Sequence, residues 1–247
     1  CGYRCCWGRE NKTRTLLITG ASSGIGAACA RGGAKAGDHL ILHYGQNRVG
    51  AQEVAEDARA SGAKVTLIQA DVGAPEDVIR LGQEASVADP KLPLHLINNA
   101  GIVDKRAYLA DLTPERMARM FAVNITGAIL VAQQAVALMR QTIHEPRFDQ
   151  DALDRLAAQL AAQDIDHIGL ADELAPEGIR VNGVRPGLIA TDIHAKGGEP
   201  DRLERIGNSP PLGRPGTADE VAQAILWLLS DAASYTTRSI LDVAGGR

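Results

Sequence analysis

A chain of 247 residues with 45 % apolar side chains is long enough to bury a sizeable core and still form one domain. Its formal charge of −4 supplies no basic footprint and excludes nucleic acid as the expected partner, and no apolar run approaches the roughly 20 residues that span a bilayer. Scarce aromatics and abundant alanine and glycine suit helices packed closely on a sheet, and the expectation is a cytoplasmic protein that no membrane holds.

Residues 1–14 are polar and aperiodic, and read as an N-terminal extension or an artefact of the sequence ahead of a single domain over 15–247. Cys1, Cys5 and Cys6 lack a nearby fourth ligand such as His, so no metal site is predicted. The organising stretch follows. Leu16, Leu17 and Ile18 form a continuous apolar run, as a strand covered on both faces requires. The run breaks at Gly20 into a small-residue turn, and a helix begins near Ile25. A strand feeding a glycine-rich turn and a helix makes an anion site, because backbone N–H groups and the positive helix end face the ligand. The spacing of Gly20, Gly24 and Gly26 is wider than the common G-x-G-x-x-G form.

Further along, residues 39–44 read as a second strand, 51–61 as a helix ended by Gly62, and 64–72 as a third strand closed by Asp71-Val72. Pro75 opens another helix, and 94–97 form a fourth strand that runs into Asn98-Asn99-Ala100-Gly101. Thr113-Pro114 supplies a hydroxyl cap and a proline at the first helical position, for a helix reaching about Arg140. Later come a strand at 179–184, a helix at 218–230 and a last strand at 240–243. Strands alternating with helices predict an α/β fold: a single-domain, Rossmann-like, doubly wound parallel sheet with its ligand at the C-terminal strand ends.

These motifs, in this order, resemble the short-chain dehydrogenase/reductase family. Thr19-Gly20-Ala21-Ser22-Ser23-Gly24-Ile25-Gly26 matches its cofactor turn, Asp71-Val72 its adenine-contacting pair, and Asn98-Asn99-Ala100-Gly101 the motif after its fourth strand. Asn124 matches the helix asparagine of its active site. Ile179-Arg180-Val181-Asn182, followed by Pro186-Gly187, Ile189 and Thr191, matches the segment at the nicotinamide end, and Asp242-Val243-Ala244-Gly245-Gly246 its usual ending. The resemblance implies an oxidoreductase that moves hydride between a nicotinamide dinucleotide and a small alcohol or carbonyl, working as a homodimer or homotetramer joined through its two long middle helices.

Cofactor choice turns on the end of the second strand, where a carboxylate would bind the ribose 2′-hydroxyl of NAD and repel a 2′-phosphate. Here stand His43-Tyr44-Gly45-Gln46-Asn47-Arg48, without a carboxylate and with one guanidinium able to bond a phosphate. NADP(H) is therefore expected over NAD(H), with Tyr44 and Arg48 at the cofactor.

The resemblance fails at the chemistry. The family uses a Ser, a Tyr and a Lys, the last two four apart on one helix face, where the ammonium lowers the phenol's pKa for proton transfer. This chain has Tyr3, Tyr44, Tyr108 and Tyr235 only, and no lysine between Lys105 and Lys196. Counting back from the helix end at 168–174 puts the Tyr and Lys positions on Leu156 and Leu160. Between Asn124 and Gly178 the chain is also shorter than the family pattern. That shortening removes the glycine-rich loop and leaves the central fifth strand doubtful. Residues 141–150, polar and interrupted by Pro146, make a poor inner strand. Thr142 is the one nearby hydroxyl in place of the serine, while His144 and His167 read as surface residues. An empty slot would hold its neighbours about 9.6 Å apart, twice the usual spacing, with two unpaired ladders. The flanking strands would then close up, or residues 141–145 would be forced into the gap, or the sheet would be damaged. Residues 151–163 read as a helix with Leu153, Leu156 and Leu160 in one stripe. Three readings stay open: an oxidoreductase with impaired turnover, an inert dinucleotide-binding module, and a damaged or misread version of an active member.

Overall fold

A computed structural model describes residues 13–88, 93–142, 156–161 and 167–246. Residues 1–12, including Cys1, Cys5 and Cys6, and the segment containing His144 and Pro146 lie outside the described residues. In chain order the elements are β1 Thr15–Ile18, α1 Gly24–Lys35, β2 His39–Tyr44, α2 Arg48–Ala60, β3 Val65–Gln69, α3 Pro75–Ser86 and β4 Leu94–Asn98. Then come α4 Pro114–Phe121, a π-helical turn Ala122–Gly127, α5 Ala128–Thr142, β5 Leu156–Ala161, α6 His167–Leu174 and β6 Ile179–Pro186. The chain ends with β7 Ile189–Ala190, α7 Ile193–Lys196, α8 Arg202–Ile206, β8 Gly216–Thr217, α9 Ala218–Leu228 and β9 Ile240–Val243.

The main sheet is parallel throughout, in the order β3-β2-β1-β4-β5-β6-β9, and β7 pairs with β8 beside it. Every residue of β1, β2 and β4 is buried, as strands sandwiched between helix layers must be. Alternation along each strand sorts the side chains between two cores. Leu16, Ile18, Leu40 and Leu42 meet α1, α2 and α9 on one face, whereas Leu17, Ile41 and Leu96 meet α3, α5 and α6 on the other. Helix starts follow local chemistry. Thr113 accepts from the Arg116 N–H ahead of α4, and Thr217 with Glu220 forms a reciprocal capping box on α9.

Two expectations are corrected here. The fifth strand is present, and Leu156–Ala161, read from the sequence as part of a helix, forms it. All six residues pair with β6, from Leu156 opposite Ile179 to Ala161 opposite Val184, and three pair with β4. Leu, Ala and Gln favour helix by intrinsic preference. Two inner ladders left open would orphan more backbone groups than that preference offsets, so the tertiary demand wins. None of the alternatives foreseen for the slot occurs: the flanking strands do not close up, and Gln141 and Thr142 stay in α5. The second correction concerns apolar runs. The continuous helical stretch Pro114–Gln141 is long and apolar enough, by length and composition, to cross a bilayer. Its inner side instead supplies Val123, Val131, Ala135 and Met139 to the core against β4 and α3, as the central helix of a layered fold does.

Candidate functional site

At the C-terminal ends of the strands lies a cleft of about 1120 Å³. Of the residues singled out in the sequence, Gly20, Ser22, Ser23, Gly24, Ile25, Asp71, Val72, Ala100, Gly101 and Thr191 line it. Gly26, Tyr44, Arg48, Asn98, Asn124, Pro186, Gly187 and Ile189 do not form its wall.

The glycine turn builds the floor. Gly20 has φ 66° and Gly24 φ 56°, the left-handed region that glycine enters without penalty. A side chain on Gly20 would also stand 2.9 Å from the Ala100 Cα, so the turn and the loop after β4 touch backbone to backbone. Gly26 sits behind the wall, where a Cβ would collide with the Gly20 carbonyl. The amides divide sharply. Thr19, Gly20 and Ala21 donate to the Ile97 carbonyl, His43 Nδ1 and the His43 carbonyl. Ser23, the residue before α1, is extended and makes no side-chain cap bond, and the first-turn amides of Gly24, Ile25 and Gly26 donate to none of the described residues. A helix start left uncapped beside a cleft presents its orphan donors and its positive end to an anion. Thr191 closes the opposite wall, its methyl 3.5 Å from where a Gly24 Cβ would lie.

The asparagines act mainly on backbone. Thr19 Oγ1 donates to Asn98 Oδ1 at 3.3 Å and accepts the Asn99 and Ala100 amides, both at 2.9 Å. Asn98 Nδ2 donates to the Ala128 carbonyl, 2.8 Å away, and Asn99 Nδ2 donates to the Thr19 and Gly20 carbonyls. Asn124 lies in the π-helical turn and pairs with Ile102 in both directions, accepting its N–H at 2.8 Å and donating to its carbonyl at 2.9 Å. Its amide is thereby occupied in fixing the loop after β4 over the cleft. Gly187 donates to the Val243 carbonyl, and a Cβ there would approach Ala244 Cα to 2.6 Å, so Pro186-Gly187 packs on the chain's last turn. Ile189 is buried in β7.

At the far end of the cleft Asp71 accepts from both terminal guanidinium nitrogens of Arg119 and from the Gly73 amide. The Arg119 bonds hold the Asp71 carboxyl below its ordinary range. Arg80 is engaged by the Gln69 carbonyl, Asp77 and Glu84. Tyr44 is buried, while Arg48 is exposed at the start of α2 and its guanidinium has no partner among the described residues. Sequence reasoning missed Arg119, Arg80 and the buried His43, which also line the cleft. His43 ends a strand beside the turn, a signal that was available. Arg119 reaches Asp71 across 48 positions, and no local spacing announces that pairing.

The chemistry end is corrected in two respects. Leu156 and Leu160 belong to β5, so they are not the positions of a helical Tyr–Lys pair; the described helix ahead of β6 is α6, His167–Leu174. Thr142 is not beside the cleft. Helix α5 starts there, at the Ala128 carbonyl bonded by Asn98, and its 15 residues carry the chain about 20 Å along the sheet. Near its far end Arg140 bonds Glu177, just ahead of the N-terminal end of β6. The chain has no serine between Ser86 and Ser209, and the hydroxyl that remains at this end of the cleft wall is Thr191. Among the described residues no cluster of His, Cys, Asp or Glu is arranged to hold a metal ion.

Comparison with known proteins agrees with the geometry. Residues 14–144 match the family model described as short chain dehydrogenase, and residues 168–247 match one described as Enoyl-(Acyl carrier protein) reductase. Neither match covers 145–167, the stretch around β5. The chain is 39 % identical over 244 residues to the uncharacterized oxidoreductase YgfF of Escherichia coli, covering 94 % of this chain and 98 % of that one. It is 31 % identical over 253 residues to a chloroplastic NADPH-dependent aldehyde reductase-like protein of Arabidopsis thaliana, covering 94 % and 93 %. The crystal structure of a short-chain type dehydrogenase/reductase from Mycobacterium marinum superposes with a TM-score of 0.79 at 27 % identity, over 96 % of each chain.

Proposed function

The chain belongs to the short-chain dehydrogenase/reductase family, whose members are NAD(P)-dependent oxidoreductases, and from that premise we propose that it binds NADP(H) in preference to NAD(H) and moves hydride between it and a small alcohol or carbonyl at an impaired rate. The observation that carries the reading is the uncapped start of α1. The amides of Gly24, Ile25 and Gly26 have no acceptor among the described residues, and the turn faces a cleft with room for a dinucleotide. The turn's glycines also leave the backbone bare where a pyrophosphate would approach.

When bound, the nicotinamide supplies the hydride; the chain supplies orientation. Thr191 stands opposite Gly24 with a hydroxyl able to bond a carboxamide. Asp71 keeps one acceptor site on Oδ2 beyond the three engaged by Arg119 and Gly73, enough to accept from an adenine amino group. Preference for the 2′-phosphate is supported by residues 43–48, which lack a carboxylate and include Arg48, whose guanidinium has no partner among the described residues, and by the NADPH-dependent name of one relative. Impairment follows from residues the chain lacks. General acid–base help is worth about 10²–10⁴-fold, and without a Tyr–Lys pair the substrate oxygen has no phenol to exchange its proton with. The absence of any tyrosine between Tyr108 and Tyr235 also favours a second reading, a dinucleotide-binding module without turnover.

We also propose a homodimer or homotetramer joined through the middle helices, because Met117, Phe121 and Ile129 lie exposed at intervals of one or two helical turns. Fluorescence titration with NADPH and NADH, alongside turnover over a panel of alcohols and carbonyls, tests the cofactor and the chemistry. Slow turnover with tighter NADPH binding is the expected result. Binding without turnover leaves the module, and no binding of either dinucleotide refutes both.

A further inference from the structure

The turn between β1 and α1 is not held by its glycines alone. His43, the penultimate residue of β2, is buried beneath it. The Gly20 N–H donates to His43 Nδ1 at 3.2 Å. Because that nitrogen accepts, the ring proton sits on Nε2, which donates to the Ala70 carbonyl 3.0 Å away. The main chain adds a third tie, the Ala21 N–H donating to the His43 carbonyl at 2.9 Å. One residue thus joins the turn after β1 to the end of β3. Gly20 stands in the left-handed region, and the bonds at its amide and at the Ala21 amide fix the start of the path through Ser22 to Ile25, which line the cleft.

We propose that His43 is a positioning residue for this turn: its neutral, Nε2-protonated imidazole holds the Gly20 amide, and a second ring proton loosens the dinucleotide. The inference rests on the reading that residues 20–26 receive a pyrophosphate. A proton on Nδ1 would replace an acceptor with a donor facing the Gly20 donor, and would put a charge in a buried place. Burial holds this imidazole below its ordinary range, and the bond to Ala70 and the Asp71 and Asp77 carboxylates that face it oppose the shift only in part. The neutral form is the working form at neutral pH, and the loss of affinity falls on the acid side.

Two substitutions separate the acceptor from the bulk of the ring. His43→Asn keeps an oxygen near the Nδ1 position. His43→Gln keeps an amide reaching toward the Ala70 carbonyl and removes the acceptor beside Gly20. Calorimetric titration with NADP⁺ from pH 8 to pH 5, with a thermal melt of each variant, compares them, and the 2′-phosphate's own titration cancels between variants. The expected result at pH 7.5 is affinity within a few-fold of wild type for Asn and roughly tenfold weaker for Gln, a difference of about 1.4 kcal/mol. The Asn variant also loses less affinity than wild type on acidification. In the wild-type protein a long-range ¹H–¹⁵N spectrum is expected to report the Nε2–H tautomer at pH 7.5, whatever either variant does. Equal affinities in the two variants, or an Nδ1–H tautomer, overturn the proposal. A wild type that binds no dinucleotide at any pH overturns the pyrophosphate reading and this one with it.

Discussion

Asp71 and Arg119 face each other in a two-bond ion pair, with Arg119 Nη1 and Nη2 donating to the carboxylate at 2.8 and 3.0 Å, one residue after β3 and the other on α4. Both side chains are nearly half exposed, so solvent screens the pair. Its value lies in orientation, since it fixes the carboxylate at the mouth of the cleft. Because the Arg119 bonds lower the Asp71 pKa in the folded state, the stability it contributes is present above the unfolded aspartate value of about 3.9 and is lost as pH falls through the folded value. Arg119→Ala should therefore cost no more than about 1 kcal/mol at pH 7, and the difference from wild type should vanish in strong acid. Denaturant unfolding at pH 7 and near pH 2 measures it; a difference that persists or grows in acid would contradict the pairing. The same variant should weaken a dinucleotide carrying adenine more than its hypoxanthine analogue, which lacks the amino group Asp71 would accept from.

Two glycines of the turn separate strain from function. Gly20→Ala combines a left-handed φ with a Cβ 2.9 Å from the Ala100 backbone, so the variant should lose about 1–3 kcal/mol or more and melt well below wild type. Gly24→Ala carries a similar φ, but among the described residues its Cβ meets only the Thr191 side chain, at 3.5 Å and beyond. It should fold with a loss of about 1 kcal/mol, yet bind NADPH at least roughly tenfold more weakly, because the methyl intrudes on the space before the α1 amides. Thermal melts paired with fluorescence titration test the contrast; unchanged affinity in the Gly24 variant would count against the turn as the phosphate site.

How much of this was legible in the sequence depended on whether a feature was local. Strand β1 could be read because three consecutive apolar residues broken at once by Gly20 fit a short doubly covered strand better than a helix, and α4 because Thr113-Pro114 states its own start. The glycine turn was legible as a conformation, though not which of its amides remain free. That depends on His43 and Ile97, which approach from other strands. Asn124 could be matched by motif, but its two bonds to Ile102 cross a turn that no periodicity encodes. Leu156–Ala161 was misread because its composition favours helix and the counter-argument, two open ladders on β4 and β6, exists only once the sheet is assembled.

The exposed stripe on the middle helices gives a prediction about assembly. Met117, Phe121 and Ile129 are 38 %, 56 % and 42 % exposed, while Val123 and Val131 on the opposite side are buried. If these helices join copies of the chain, Phe121→Glu places a charge where an apolar contact forms and lowers the mass measured by light scattering. NADPH affinity should be preserved, since Phe121 does not line the cleft. A wild type already monomeric, or a variant of unchanged mass, would remove this face from consideration as the interface.

The last prediction concerns repair of the missing chemistry. On a helix, positions four apart lie about 5–6 Å from one another on one face, close enough for an ammonium to tune a phenol. Leu156 and Leu160 are instead in β5, paired with Ile179 and Gly183. Four residues of strand span about 13 Å, too far for a lysine to hold a tyrosine's pKa down in the way the reaction requires. The double substitution Leu156→Tyr, Leu160→Lys should therefore leave turnover unchanged while lowering the melting temperature, because it forces two large polar side chains into the middle of a parallel sheet. A gain approaching the 10²-fold or more that acid–base help typically contributes would mean that this stretch is helical in solution, and that the slot between β4 and β6 is filled by something else.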